Sequence, residues 1–167
     1  MNNIVYLAIK SEHVYKEVEM SIKSLFYVLR DSKCAEQYHI VVYTDNLTFF
    51  NRRFAFNKSV QIDYRDISEW EFDNVYLRKI DVIEDFAKQY GQDFIFLDSD
   101  TYFMSSPESL FKTLVTNGTV LMYLKENTLN EKINYVFDRF SNIFHSSSRS
   151  WCFVFCNSMR SPRTGYS

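Results

Sequence analysis

Asp98-Ser99-Asp100 is the triplet in this chain best suited to chemistry, because it directly follows the apolar run Phe94-Ile95-Phe96-Leu97. Two carboxylates spaced i, i+2 where a strand's pleat breaks can converge on one hard divalent cation, directly or through water. A cation held there can bridge the two phosphates of a nucleoside diphosphate and neutralise charge on a leaving group. Arg78 and Lys79, near the start of a helix-period segment upstream, are basic residues that could share the phosphate. An Asp-x-Asp triplet also suits a plain turn. The four bulky residues before it, and the strand-helix-strand order leading to it, favour a site.

The rest of the chain narrows how a phosphate could be held. Gly occurs only three times in 167 residues, at Gly91, Gly118 and Gly165, and nowhere clustered. A Walker loop or dinucleotide fingerprint needs clustered glycines for close backbone approach, so a cation with Arg or Lys must replace it. Net charge is -2 and basic residues do not gather on one face, which excludes nucleic acid as the expected partner. Cys34, Cys152 and Cys156 have no spacing that completes a zinc site and are read as reduced bystanders. The apolar run Ile4 to Ile9 is too short for a signal core or a membrane helix. A cytoplasmic protein without a transmembrane segment is expected, with peripheral membrane association left open.

The elements that must position the triplet alternate between short apolar strands and helix-period segments, the pattern of an α/β sheet. Strands are expected at Ile4 to Ile9, His39 to Thr44, Val60 to Tyr64, Phe94 to Leu97 and Thr119 to Leu124. Helices are expected over Val14 to Leu29, Asn74 to Tyr90, Pro107 to Val115 and Glu131 to Phe144, from apolar residues three and four apart. Gly91 stands where a left-handed helix cap belongs, and Asp45-Asn46 is a turn or cap signal. Residues 141–167 hold eight Ser, three Arg and no acid, whereas residues 1–140 carry all 21 acids. Two regions are therefore expected: an α/β domain over 1–140 and a Ser/Arg-rich irregular tail over 141–167.

The segments Leu77-Arg78-Lys79-Ile80-Asp81-Val82-Ile83 and Phe94 to Phe103 resemble the helix and DxD segment of GT-A glycosyltransferases. Bacterial enzymes related to the glycogenin and lipopolysaccharide-galactosyltransferase group are the nearest in kind. Ile4-Val5-Tyr6-Leu7-Ala8, Ser21-Ile22-Lys23-Ser24-Leu25 and Val42-Tyr43-Thr44-Asp45 are similar to the nucleotide-binding half of that fold. The resemblance covers roughly residues 3–126. It implies a Rossmann-like, mostly parallel sheet flanked by helices, and a metal-dependent transfer of sugar from a nucleotide-diphosphate sugar to a glycan or lipid-linked acceptor. Bacterial surface polysaccharide synthesis is the implied setting and a UDP-sugar the implied donor. Asp98 and Asp100 would coordinate Mn2+ or Mg2+, Ser99 would stand near the ribose, and Arg78 and Lys79 would reach the phosphates or the two acids. Ala8 and Asp45 would line the nucleoside pocket. Asp45 reads equally well as a helix cap.

That family continues past the DxD strand into an acceptor-binding half that residues 141–167 do not match, so a truncated or frame-disrupted glycosyltransferase is expected, its donor half present and its own transferase activity in doubt. A non-catalytic nucleotide-sugar-binding fragment is the alternative. A haloacid-dehalogenase-type phosphatase also begins from a strand ending in Asp-x-Asp, but Tyr102 replaces the expected Thr or Val, and Asp138 is the only later Asp.

Overall fold

The computed structural model describes residues 1–32, 34–55, 59–71, 74–117, 121–123 and 151–154. Its elements are, in order, β1 (Asn2–Ala8), α1 (Glu12–Leu29), β2 (Tyr38–Thr44), α2 (Leu47–Phe54), β3 (Gln61–Asp66), α3 (Val75–Tyr90), β4 (Phe94–Leu97), α4 (Glu108–Asn117), β5 (Leu121–Tyr123) and β6 (Trp151–Val154). Six strands form one sheet in the order β3-β2-β1-β4-β6-β5, with β1 and β4 in the middle. Among the described residues every strand pairing is parallel. The fold is thus α/β with helices on both faces, compatible with a Rossmann-like arrangement.

Parallel strands covered on both faces read as unbroken apolar runs, and β1 and β2 do so. Along β1 the side chains alternate: Ile4, Tyr6 and Ala8 face the core under α1, whereas Val5 and Leu7 face the core under α3. β4 repeats the pattern, with Ile95 and Leu97 on the α1 side and Phe94 and Phe96 on the α3 side. Two cores therefore clamp one sheet. In the second, Phe86 stacks on Tyr90 with centroids 4.4 Å apart and packs tilted against Phe94 at 4.6 Å.

The expected strands and helices are present within a few residues of their predicted ends, wherever they fall on described residues. Gly91 takes φ 57 after α3 and returns its N–H to Ala87 O at 3.1 Å, as a left-handed cap does. Two differences matter. Helix α2 was not expected; it is only eight residues long, and only Phe50 and Phe54 are buried. Residues 141–167 are not wholly irregular, because Trp151–Val154 pairs with both β4 and β5. Its aromatic and β-branched residues suit a pleated, covered surface, which a count of serines and arginines obscures. The helix expected over Glu131 to Phe144 lies outside the described residues.

Candidate functional site at the carboxyl ends of β1 and β4

From β1 the chain moves outward to β2 and β3, whereas β4 is laid down on the opposite side of β1. In open α/β sheets, ligands bind outside the carboxyl ends of the strands where the order reverses in this way. Tyr6 lies opposite Leu97, so β4 stops two residues short of the end of β1. The Asp98-Ser99-Asp100 triplet accordingly leaves the sheet beside Leu7 and Ala8, at the switch point.

The alternation of β4 carries over into the triplet's first two residues. Asp98 continues the α3 face, where Lys79 Nζ donates to its Oδ1. Ser99 continues the α1 face, where its Oγ donates to Glu17 Oε2 at 2.8 Å. Glu17 in turn lies 3.0 Å from His13 Nε2 through its other oxygen. Then the chain turns, with Thr101 N–H donating to Asp98 O at 3.2 Å. Helices on both sides of the sheet thus grip consecutive residues of the triplet.

Asp98 and Lys79 are each about four-fifths buried, with side-chain exposures of 20% and 21%. Burial pushes the Asp98 carboxyl above its ordinary value; Lys79 pulls it back, and the charge of Asp100 adds to the rise. Thr101 Oγ1 is buried without a hydrogen-bond partner among the described residues. No group of three His, Cys, Asp or Glu that could hold a metal ion occurs among the described residues. Asp98 and Asp100 therefore offer a cation two carboxylates at most.

The other residues predicted from sequence separate into different roles. Arg78 Nη1 donates to Asp81 Oδ2 at 3.1 Å, and its guanidinium lies 6.0 Å from the Trp70 ring centroid. Ala8 is fully buried in the core under α1, so only its backbone borders the crevice. Asp45 is not the helix cap. Asn46 caps α2, accepting from Phe49 N–H at 3.2 Å. Asp45 instead accepts from Tyr15 OH at 2.6 Å and from Lys10 N–H at 2.9 Å. Burial, and secondarily the bond to Asp45, push the Tyr15 hydroxyl's pKa up.

Glu17, Tyr15 and Lys10 were not anticipated from sequence. Ser99 and Glu17 are 82 residues apart and Lys10 and Asp45 are 35 apart, so no local spacing encodes either pair. Among the described residues, no helix is long and apolar enough to cross a membrane. No protein-family model matches the chain, and neither curated proteins nor solved structures provide a match.

Proposed function

We propose that this chain binds a nucleoside-diphosphate sugar, a UDP-sugar in the first instance, with a divalent cation and serves glycosyl transfer of the GT-A type. The acceptor would be a glycan or lipid-linked sugar in bacterial surface polysaccharide synthesis. The observation that carries this reading is the placement of Asp98-Ser99-Asp100 at the switch point, beside the end of β1 and with Lys79 on Asp98. Asp98 and Asp100 would hold Mg2+ or Mn2+, and the cation when bound supplies Lewis-acid stabilisation of the departing diphosphate.

The chain's own groups do the rest. Lys79 supplies a positive charge at Asp98 from a partly buried position, where an ammonium is screened less than on the surface. Glu17 holds Ser99 and thereby orients the loop that carries both acids. The end of β1 and the β1–α1 turn border the space for the nucleoside.

Calorimetric titration with UDP, GDP and CMP, with and without Mn2+, tests the reading. Metal-dependent binding of a nucleoside diphosphate, abolished by Asp98→Ala and by Asp100→Ala, is the expected result. Binding indifferent to metal overturns it, and release of phosphate from phosphate esters supports a phosphatase instead. Metal-dependent binding without transfer to any glycan acceptor assigns the chain to nucleotide-sugar binding alone.

A further inference from the structure

Two described residues have positive φ: Gly91 at 57° and Lys10 at 73°. For Gly91 this conformation is free of steric cost, since it lacks a Cβ. For Lys10 it is disfavoured, because the Cβ crowds the neighbouring carbonyl. Residues held this way persist only where surrounding structure over-determines them, and they collect at functional sites. Lys10 lies two residues past the end of β1, at the switch-point crevice.

The surroundings supply the restraint. Lys10 N–H donates to Asp45 Oδ2 at 2.9 Å, an amide-to-carboxylate bond of the stronger, charge-assisted kind. The other oxygen, Oδ1, accepts from the hydroxyl of Tyr15 at 2.6 Å. Tyr15 is itself buried on α1, between Phe49 and Phe50 of α2 at centroid distances of 5.4 Å and 6.1 Å. One carboxylate at the end of β2 thus joins the turn after β1 to a hydroxyl fixed in the core.

We infer that Asp45 is a positioning residue, a clasp that holds Lys10 in its left-handed conformation and so gives the β1–α1 turn one shape toward a bound nucleotide. The clasp stands on the geometry alone; its effect on nucleotide affinity rests on the function proposed above. Because the clasp touches no base, its loss weakens all nucleoside diphosphates alike. Glycine at position 10 would relieve the clasp of its steric task, because the left-handed conformation then carries no Cβ penalty.

Two measurements on the full chain test this separately. In the ligand-free protein, amide hydrogen exchange at Lys10 is expected to quicken about tenfold in Asp45→Ala, with β1 amides such as Tyr6 unchanged, since one charge-assisted bond is lost. Unchanged exchange at Lys10 overturns the clasp whether or not any nucleotide binds. In calorimetry with Mn2+, UDP and GDP are expected to lose affinity by the same factor, about tenfold, in Asp45→Ala. Adding Lys10→Gly should bring both back to within about threefold of the parent. A loss confined to one nucleotide, or one that Lys10→Gly leaves in place, overturns the inference in favour of base reading. If the parent binds neither nucleotide, the proposed function fails while the exchange result still decides the clasp. Should Asp45→Ala not fold, Tyr15→Phe removes only the Oδ1 bond and is expected to quicken Lys10 exchange about threefold; no change there overturns the clasp.

Discussion

The two ends of the sheet carry polar clusters of similar composition and opposite character. At the amino end, Asn3 is fully buried and His39 is 4% exposed. Asn3 Nδ2 donates to Asp93 O at 2.9 Å and to Gln92 Oε1 at 3.1 Å, and its Oδ1 accepts from His39 Nδ1 at 3.0 Å. His39 Nε2 lies 2.8 Å from Asp63 Oδ2, and Asp63 is 43% exposed. The polar atoms of Asn3 and His39 are matched and the Asp63 carboxylate reaches water, although the nearby Tyr38 hydroxyl is buried without a hydrogen-bond partner among the described residues. At the carboxyl end, Asp98 is largely buried and resists ionisation in spite of Lys79, and Thr101 Oγ1 lacks a partner among the described residues. A matched cluster ties strands together and has no use for a ligand. One whose charge is desolvated beyond what its partner offsets gains from the arrival of a cation or phosphate.

Substitutions that separate stability from binding sharpen this contrast. The largest effect is expected at the amino end, where Asn3→Ala strands the Asp93 carbonyl and the His39 ring in the interior. A loss of about 3 kcal/mol in urea unfolding is expected from two buried groups left unmatched. A loss under about 0.5 kcal/mol, the size of an ordinary surface change, would break the contrast. At the carboxyl end Asp98→Asn should do the reverse. Metal-dependent nucleoside-diphosphate affinity falls about a hundredfold, some 2.7 kcal/mol, while the unfolding midpoint stays close to that of the parent. Ser99→Ala, which removes the bond to Glu17, is smaller; a stability loss of about 1 kcal/mol by thermal unfolding is expected.

The smallest effect is on the pH profile. Asp98 has its folded carboxyl value raised above the ordinary 3.8, so the folded state holds that proton more tightly than the unfolded chain. The stability it contributes is complete below the ordinary value and is lost as pH rises through the folded one. Unfolding followed from pH 3 upward should therefore show a decline on the alkaline side of 3.8 that Asp98→Asn flattens. A parent and variant with parallel profiles would place the buried strain elsewhere.

The sequence and the structure agree best where a local pattern was long and consistent. β1, β2 and β4 are uninterrupted apolar runs because both faces of the sheet are covered, and α1 and α3 keep their stripes over 18 and 16 residues. Helix α2 escaped notice because Asn51, Arg52 and Arg53 interrupt its short pattern. What ties it down is distant: Arg53 Nε bonds to the buried Glu19 of α1 at 3.1 Å. The site divides the same way. Asp98, Asp100 and Lys79 were legible as residue types at the end of a strand and the start of a helix. That Lys79 meets Asp98 whereas its neighbour Arg78 turns to Asp81 depends on which flank of α3 faces the sheet. That Asp45 serves Lys10 rather than α2 depends on β1 and β2 lying side by side. Neither fact exists until the sheet is assembled.

The order in which that assembly can happen follows from the pairing of β1. Its register with β2 joins Asn2 to Tyr38, but its register with β4 joins Asn3 to Phe94. Closing the second seam brings together far more distant parts of the chain, at a greater cost in loop entropy and with slower non-local contact formation. During synthesis, β1 must wait with one edge unpaired until Phe94–Leu97 has emerged. Asn3 sits at the start of that edge and bonds across it to Asp93 and Gln92. The β1–β4 seam is therefore latched at its amino end, and the candidate site exists only once the opposite end of that seam has been drawn shut.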